Sequence, residues 1–137
     1  MPADTAAQQD YNTVTPYLVV PDVARLIEFL TRAFGAVERG RVPRPDGSIM
    51  HAEVAMGDSV VMMGEPTGDT PVMPAAIFLR VPDADAAYRA ALDAGATSIS
   101  EPKDQPHGHR YGGVKDPCGN LWWPATPVST PAVAGRG

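Results

Sequence analysis

The sequence predicts an α+β protein built from two βαβββ modules, whose strands form a curved mixed sheet with the helices on its outer face. Three observations carry this. Val19-Val20-Pro21-Asp22 precedes an amphipathic stretch ending Phe34-Gly35-Ala36, and Arg80-Val81-Pro82-Asp83 precedes one ending Ala94-Gly95-Ala96. Asp22 and Asp83 lie 61 positions apart and Gly35 and Gly95 lie 60 apart, so one offset holds at two separate landmarks. The 13 glycines and 15 prolines supply many turns, which fits short strands better than a helical bundle.

Taken in order, the first strand spans 14–20. Val14, Pro16, Leu18 and Val20 form its apolar set, and Thr13, Thr15, Tyr17 and Val19 its mixed set. Asp22 then suits a helix N-cap, because its carboxylate accepts from the unpaired N–H groups of the first turn. Val23, Leu26, Ile27, Leu30 and Phe34 share one face at 3.6 spacing, and Gly35 closes the helix where positive φ is easily met. Strands follow at about 36–43, 47–56 and 58–64, with Asp46-Gly47 and Gly57-Asp58 as turns. Along 49–56, Met50, Ala52, Val54 and Met56 make the apolar face, and Ile49, His51, Glu53 and Ala55 the mixed one.

The second module repeats this grammar. Its first strand, 76–81, carries Ile77, Leu79 and Val81 on one face and Ala76, Phe78 and Arg80 on the other. Ala84, Ala87, Tyr88, Ala91 and Leu92 form the helix face. Strands at about 97–101, 108–115 and 119–125 follow, the last two joined by the turn Asp116-Pro117-Cys118-Gly119-Asn120. Module one covers about 13–65 and module two about 74–127, in one domain spanning 13–127. The stretches 1–12 and 128–137 lack periodicity and read as flexible tails.

Composition excludes several function classes. A net charge of −5 lacks the basic field that nucleic-acid binding needs. A single cysteine, Cys118, allows neither an internal disulfide framework nor a multi-cysteine metal site. No 18-residue apolar run offers a membrane span, and Met1 to Asn12 has neither the basic nor the apolar region of a secretory signal. The expectation is a soluble cytoplasmic protein with no nucleic-acid or membrane partner.

With the apolar faces packed under the helices, the opposite faces gather Tyr, Phe, His, Glu and Arg on one curved surface, as a small-molecule cleft requires. Two βαβββ units with Val-Pro-Asp at each helix start, together with Asp116-Pro117-Cys118-Gly119-Asn120-Leu121-Trp122-Trp123, resemble the vicinal oxygen chelate superfamily. This is the glyoxalase, bleomycin-resistance and extradiol-dioxygenase group. Gly108-His109-Arg110-Tyr111-Gly112-Gly113-Val114 and Met50-His51-Ala52-Glu53 look closest to its PhnB-like branch. The resemblance covers about 13–127.

The resemblance also implies where metal ligands would stand. The family's metalloenzymes carry a His about seven residues before the Asp that opens each helix, which here is Thr15 and Ala76. A Glu three residues after Gly-Asn is replaced by Trp123, and the remaining ligand falls near Met62 or Met63. None is the imidazole or carboxylate that a divalent ion prefers here, so no metal and no cofactor are expected. The resemblance then implies a metal-free protein that sequesters an apolar or aromatic ligand, such as an antibiotic or metabolite. The expected ligand-binding residues are Tyr17, His51, Glu53, Phe78, Arg80, Arg110, Tyr111 and Trp123, with Trp122 in the core.

No residue stands out as catalytic by motif. His51 and Glu53 are two apart on one strand and share a face, so they are candidates for an acid–base pair or for ligands of a displaced metal. A cross-strand polar pair at a sheet edge or dimer interface is the other reading. The alternative function is therefore a noncanonical lyase or isomerase using His51 and Glu53. Arg110 and Arg80 could hold an anionic group or form salt bridges. Cys118 reads as a passive turn residue. A homodimer is expected, because the family often completes its clefts with a partner and two short sheets leave edges to cover.

Overall fold

The computed structural model describes residues 11–128. The structure-bearing part of the chain runs β1 (Tyr17–Val19), α1 (Val23–Phe34), β2 (Val37–Pro43), β3 (Ile49–Met56) and β4 (Ser59–Gly64). It continues with β5 (Ala76–Arg80), α2 (Ala84–Asp93), β6 (Thr97–Asp104), β7 (His109–Lys115) and β8 (Leu121–Pro127). The two βαβββ modules are present, and their strands divide into two four-stranded mixed sheets, ordered β1-β4-β3-β2 and β5-β8-β7-β6. In each, the strand before the helix pairs parallel to the last strand of its module, and the other pairs are antiparallel.

Both helices start as the sequence requires. Asp22 accepts from Arg25 N at 3.1 Å and Asp83 from Ala86 N at 3.1 Å. At the end of α1, Gly35 sits at φ 71° and donates to Thr31 O. The α1 N-terminus gains a second anion from across the module. Glu65 accepts from Val23 N at 2.9 Å through one oxygen and from Ile49 N at 3.0 Å through the other. One carboxylate thus ties a helix start to a strand start, where the helix dipole also favours it.

The core runs from Leu18, Val20, Leu26, Phe29 and Leu30 through Val54 and Met63 to Tyr88, Val114 and Trp122. Helices α1 and α2 pack on each other, and the Phe34 ring meets Trp122 at 5.7 Å, so the modules share that core. Trp122 is fully buried, as the alternation predicts.

Local departures from the predicted elements have physical causes. Strand β1 is shorter than 14–20: Pro16 has no N–H to donate, and Val14 lies before it, 80% exposed. Met50, expected in the core, is instead exposed, while Ile49 is buried. The register explains this. Val42 pairs with His51 and Pro43 with Ile49, so Met50 is the extra residue of a β-bulge and the alternation restarts after it. The tails expected at 1–12 and 128–137 lie mostly outside the described residues. Tyr11 and Asn12, at the end of the first, bond to Glu53 and to the β3–β4 turn.

Candidate functional site

Each sheet turns one face to its helix and the other outward, and the predicted site residues other than Arg110 fall into two groups on those outer faces. On module one, Tyr17 from β1 and His51 and Glu53 from β3 come together. His51 Nε2 lies 2.9 Å from Glu53 Oε2, and the Tyr17 and His51 rings are 5.6 Å apart. The Tyr11 hydroxyl donates to the two Glu53 oxygens, at 2.7 Å to each. The Arg39 guanidinium in turn covers the Tyr11 ring at 5.4 Å. Met62 pairs in register with both Tyr17 and Glu53, so its thioether shares this face. Burial pushes the Glu53 carboxyl up, but hydrogen bonds from His51 and Tyr11 outweigh it and hold the group below its ordinary value.

On module two, Phe78 from β5, Tyr111 from β7 and Trp123 from β8 come together. The Tyr111 ring meets Phe78 and Trp123 edge-on, each at 6.0 Å. Two histidines not among the predicted site residues join them. His107 stacks on Tyr111 at 5.8 Å, and His109 meets Phe78 edge-on at 5.2 Å. Phe78, His107, Tyr111 and Trp123 line a cavity of about 350 Å³. The Trp123 indole lies flat over Gly113, where any β-carbon would collide with its ring atoms. Only glycine at 113 lets the indole lie on the sheet there.

Arg80 is exposed and shares the Phe78 face, two positions along β5. Arg110 does not join the rings. Strand alternation turns it to the face opposite Tyr111, and its guanidinium grips Asp85 with two hydrogen bonds, at 2.7 and 3.0 Å, and Asp104 at 3.2 Å. Those carboxylates raise its pKa further, so it works as a clamp between the α2 start and β6–β7.

Behind Trp123, the turn 116–120 is a closed polar network. Asp116 accepts from Cys118 N, Asn120 N, Asn120 Nδ2 and Trp122 Nε1 at 2.7–3.0 Å. Cys118 is buried, and burial together with the charges of Asp116 and Asp22 pushes its thiol up to about 11. That environment suppresses the thiolate and fits a structural residue.

The positions where the resemblance puts metal ligands do not fit a divalent ion. Thr15, Met62, Ala76 and Trp123 offer one hydroxyl, one thioether, a methyl and an indole. Met63, the other candidate, is fully buried. Among the described residues, no three His, Cys, Asp or Glu side chains come together as a metal site. His51 and Glu53 supply two such groups, and Glu53 is already shared with Tyr11. Among the described residues, no helix is long and apolar enough to cross a membrane.

Two βαβββ modules, each forming a four-stranded mixed sheet with one helix, define the class of fold. The chain belongs to the glyoxalase/bleomycin resistance protein/dioxygenase superfamily, whose family model matches residues 11–123. Among curated proteins it is 42% identical over 139 residues to the uncharacterized protein MT0910 of Mycobacterium tuberculosis, covering 91% of this chain and 80% of that one. It is 43% identical over 129 residues to a Mycobacterium bovis protein, Mb0911c, covering 84% and 83%. Among solved structures it resembles TioX from Micromonospora sp. ML1, with TM-score 0.72, 25% identity, and coverage of 85% of this chain and 99% of that one. A superfamily member from Sphaerobacter thermophilus shows the same fold, at TM-score 0.69 and 21% identity, covering 84% and 96%.

Proposed function

We propose that this protein is a metal-free small-molecule-binding member of its superfamily, of the bleomycin-resistance type and the PhnB-like branch. It sequesters an apolar or aromatic ligand, such as an antibiotic or metabolite, and returns it unchanged. The observation that carries this reading is the cavity walled by Phe78, His107, Tyr111 and Trp123, with an indole where metal-using relatives would place a carboxylate. Rings of this size each bury on the order of 150–250 Å² and offer flat surfaces for stacking.

The protein acts in the cytoplasm as a homodimer, without nucleic-acid or membrane partners. Two observations support the dimer. The ring contacts of each outer face stay within one module, which leaves each face open to be covered by another. The β5 edge opposite β8 also carries no pairing partner among the described strands. A second copy covers that edge and sets one module's face against the other's.

The test is equilibrium binding of aromatic probes to the full chain, with chemical analysis of the recovered probe. Saturable binding with the probe intact is expected; a chemically altered product overturns the reading.

A second reading rests on one specific contact, the 2.9 Å His51–Glu53 pair with Tyr11 on the same carboxylate. It makes the protein a noncanonical lyase or isomerase in which that pair moves a proton. Turnover abolished by His51→Ala in a folded protein would favour it.

A further inference from the structure

The ring-lined cavity of module two has an electrostatic character that the chain as a whole lacks. The protein carries net charge −5, yet the charged side chains placed beside these rings by the strand register are cations. Arg80 stands two positions after Phe78 on β5, hence on the same face. Lys103 on β6 is the direct cross-strand partner of Tyr111, which also fixes it to that face. Both are exposed, and neither forms an ion pair among the described residues.

Strands β7 and β8 add no acid to the rings, and module one brings the carboxylate of Asp58, which lines the adjoining cavity of about 740 Å³ with Phe78 and Arg80 and accepts from the Ser59 hydroxyl. Strand β8 contributes Trp123 and Ala125, and β7 contributes Tyr111 and His109. His107 comes from the preceding loop and keeps at least one ring N–H to donate. Asp104 and Asp85 are turned away and held by Arg110. Glu101 falls in the irregular stretch of β6 between Ser100 and Lys103. The four residues lining the ring cavity include no carboxylate, so a cationic guest there would face Arg80 and Lys103 without a counter-charge from the cavity wall. An anionic guest would meet two free cations and an imidazole donor at the rim of the rings.

We infer that the module-two site selects planar aromatic ligands bearing a carboxylate or comparable anionic group, with Arg80 and Lys103 receiving the anion while Phe78, His107, Tyr111 and Trp123 hold the ring. This rests on the ring-lined binding site proposed above and adds the charge of its ligand.

The test uses three bicyclic probes of nearly equal shape: 2-naphthoate, neutral 2-naphthamide and cationic 2-naphthylmethylammonium. Each is titrated calorimetrically into the full chain at low salt. Naphthoate is expected to bind about tenfold more tightly than the amide, with the ammonium weakest, as one charge-assisted contact would give. Arg80→Gln and Lys103→Gln should each weaken naphthoate several-fold while leaving the amide unchanged. Equal binding of all three probes would overturn the charge selection and leave the ring-lined site standing. No binding by any would overturn both. A naphthoate preference untouched by either substitution would overturn the assignment to Arg80 and Lys103.

Discussion

Replacing Asp116 by alanine strikes the network that sets β8, and with it Trp123. The carboxylate is buried, at 4% exposure, and satisfies four donors: two backbone N–H groups, the Asn120 amide and the Trp122 indole. Asn120 and Trp122 are fully buried, so their donors cannot turn to bulk water. Each buried donor left unpaired costs about 1–3 kcal/mol, and a water entering the vacated space recovers part of that. The expected loss is about 3–5 kcal/mol, large against the roughly 5–15 kcal/mol of a typical domain. Urea denaturation followed by far-UV circular dichroism measures it. Asp116→Asn, which keeps one carbonyl acceptor, should recover about half, because two of the four donors lose their oxygen. A loss under about 1 kcal/mol for the alanine variant would refute the reasoning, since four buried bonds could not then have depended on this side chain.

Other outcomes follow from the same geometry. Gly113→Ala should lift the indole off the sheet, abolishing aromatic-probe binding and costing about 1–3 kcal/mol; unchanged binding would mean that Trp123 does not rest there. The Glu53 carboxyl is held below its ordinary value, so its ionised form stabilises the fold above that value, and the contribution is lost as pH falls through the depressed one. The stability gap between the native chain and Glu53→Gln should therefore be full at neutral pH and shrink below about pH 4.5, where a gap that widened on acidification would contradict the sign. With its thiol pushed up to about 11, Cys118 should be only about one part in a thousand thiolate at pH 8, so a disulfide reagent should modify it slowly until urea exposes it. Rapid modification of the native protein would contradict its burial.

Much of this fold was legible because its signals are local and repeated. The Pro-Asp caps and the apolar helix faces each act within a few residues and recur at an offset of 61 positions between the caps, whereas the glycine that caps α1 has no counterpart at the α2 cap, which is Ala94. Alternation also assigned Trp122 to the core and separated Tyr17, His51 and Glu53 from it. Met50 escaped because a bulge resets the period, and strand alternation alone carries no sign of that. Arg110 and Tyr111 are neighbours in sequence and were assigned to one cleft, although adjacent residues of a strand point to opposite faces. His107 and Tyr11 lie in irregular segments, where no periodicity announces a face, whereas His109 opens β7 two positions before Tyr111 and so shares its face. For the histidines the hint was the His-Gly-His spacing, with Gly108 at φ 97° turning the chain into β7.

The central claim is that rings, rather than an ion, hold the guest. The most direct measurement is a crystal structure of the full chain grown with 2-naphthoate. The naphthalene is expected packed among Phe78, His107, Tyr111 and Trp123, with no cation coordinated between the modules. A coordinated cation on His51 and Glu53 bridging to the ligand would contradict it, as would Trp123 folded down to fill the cavity.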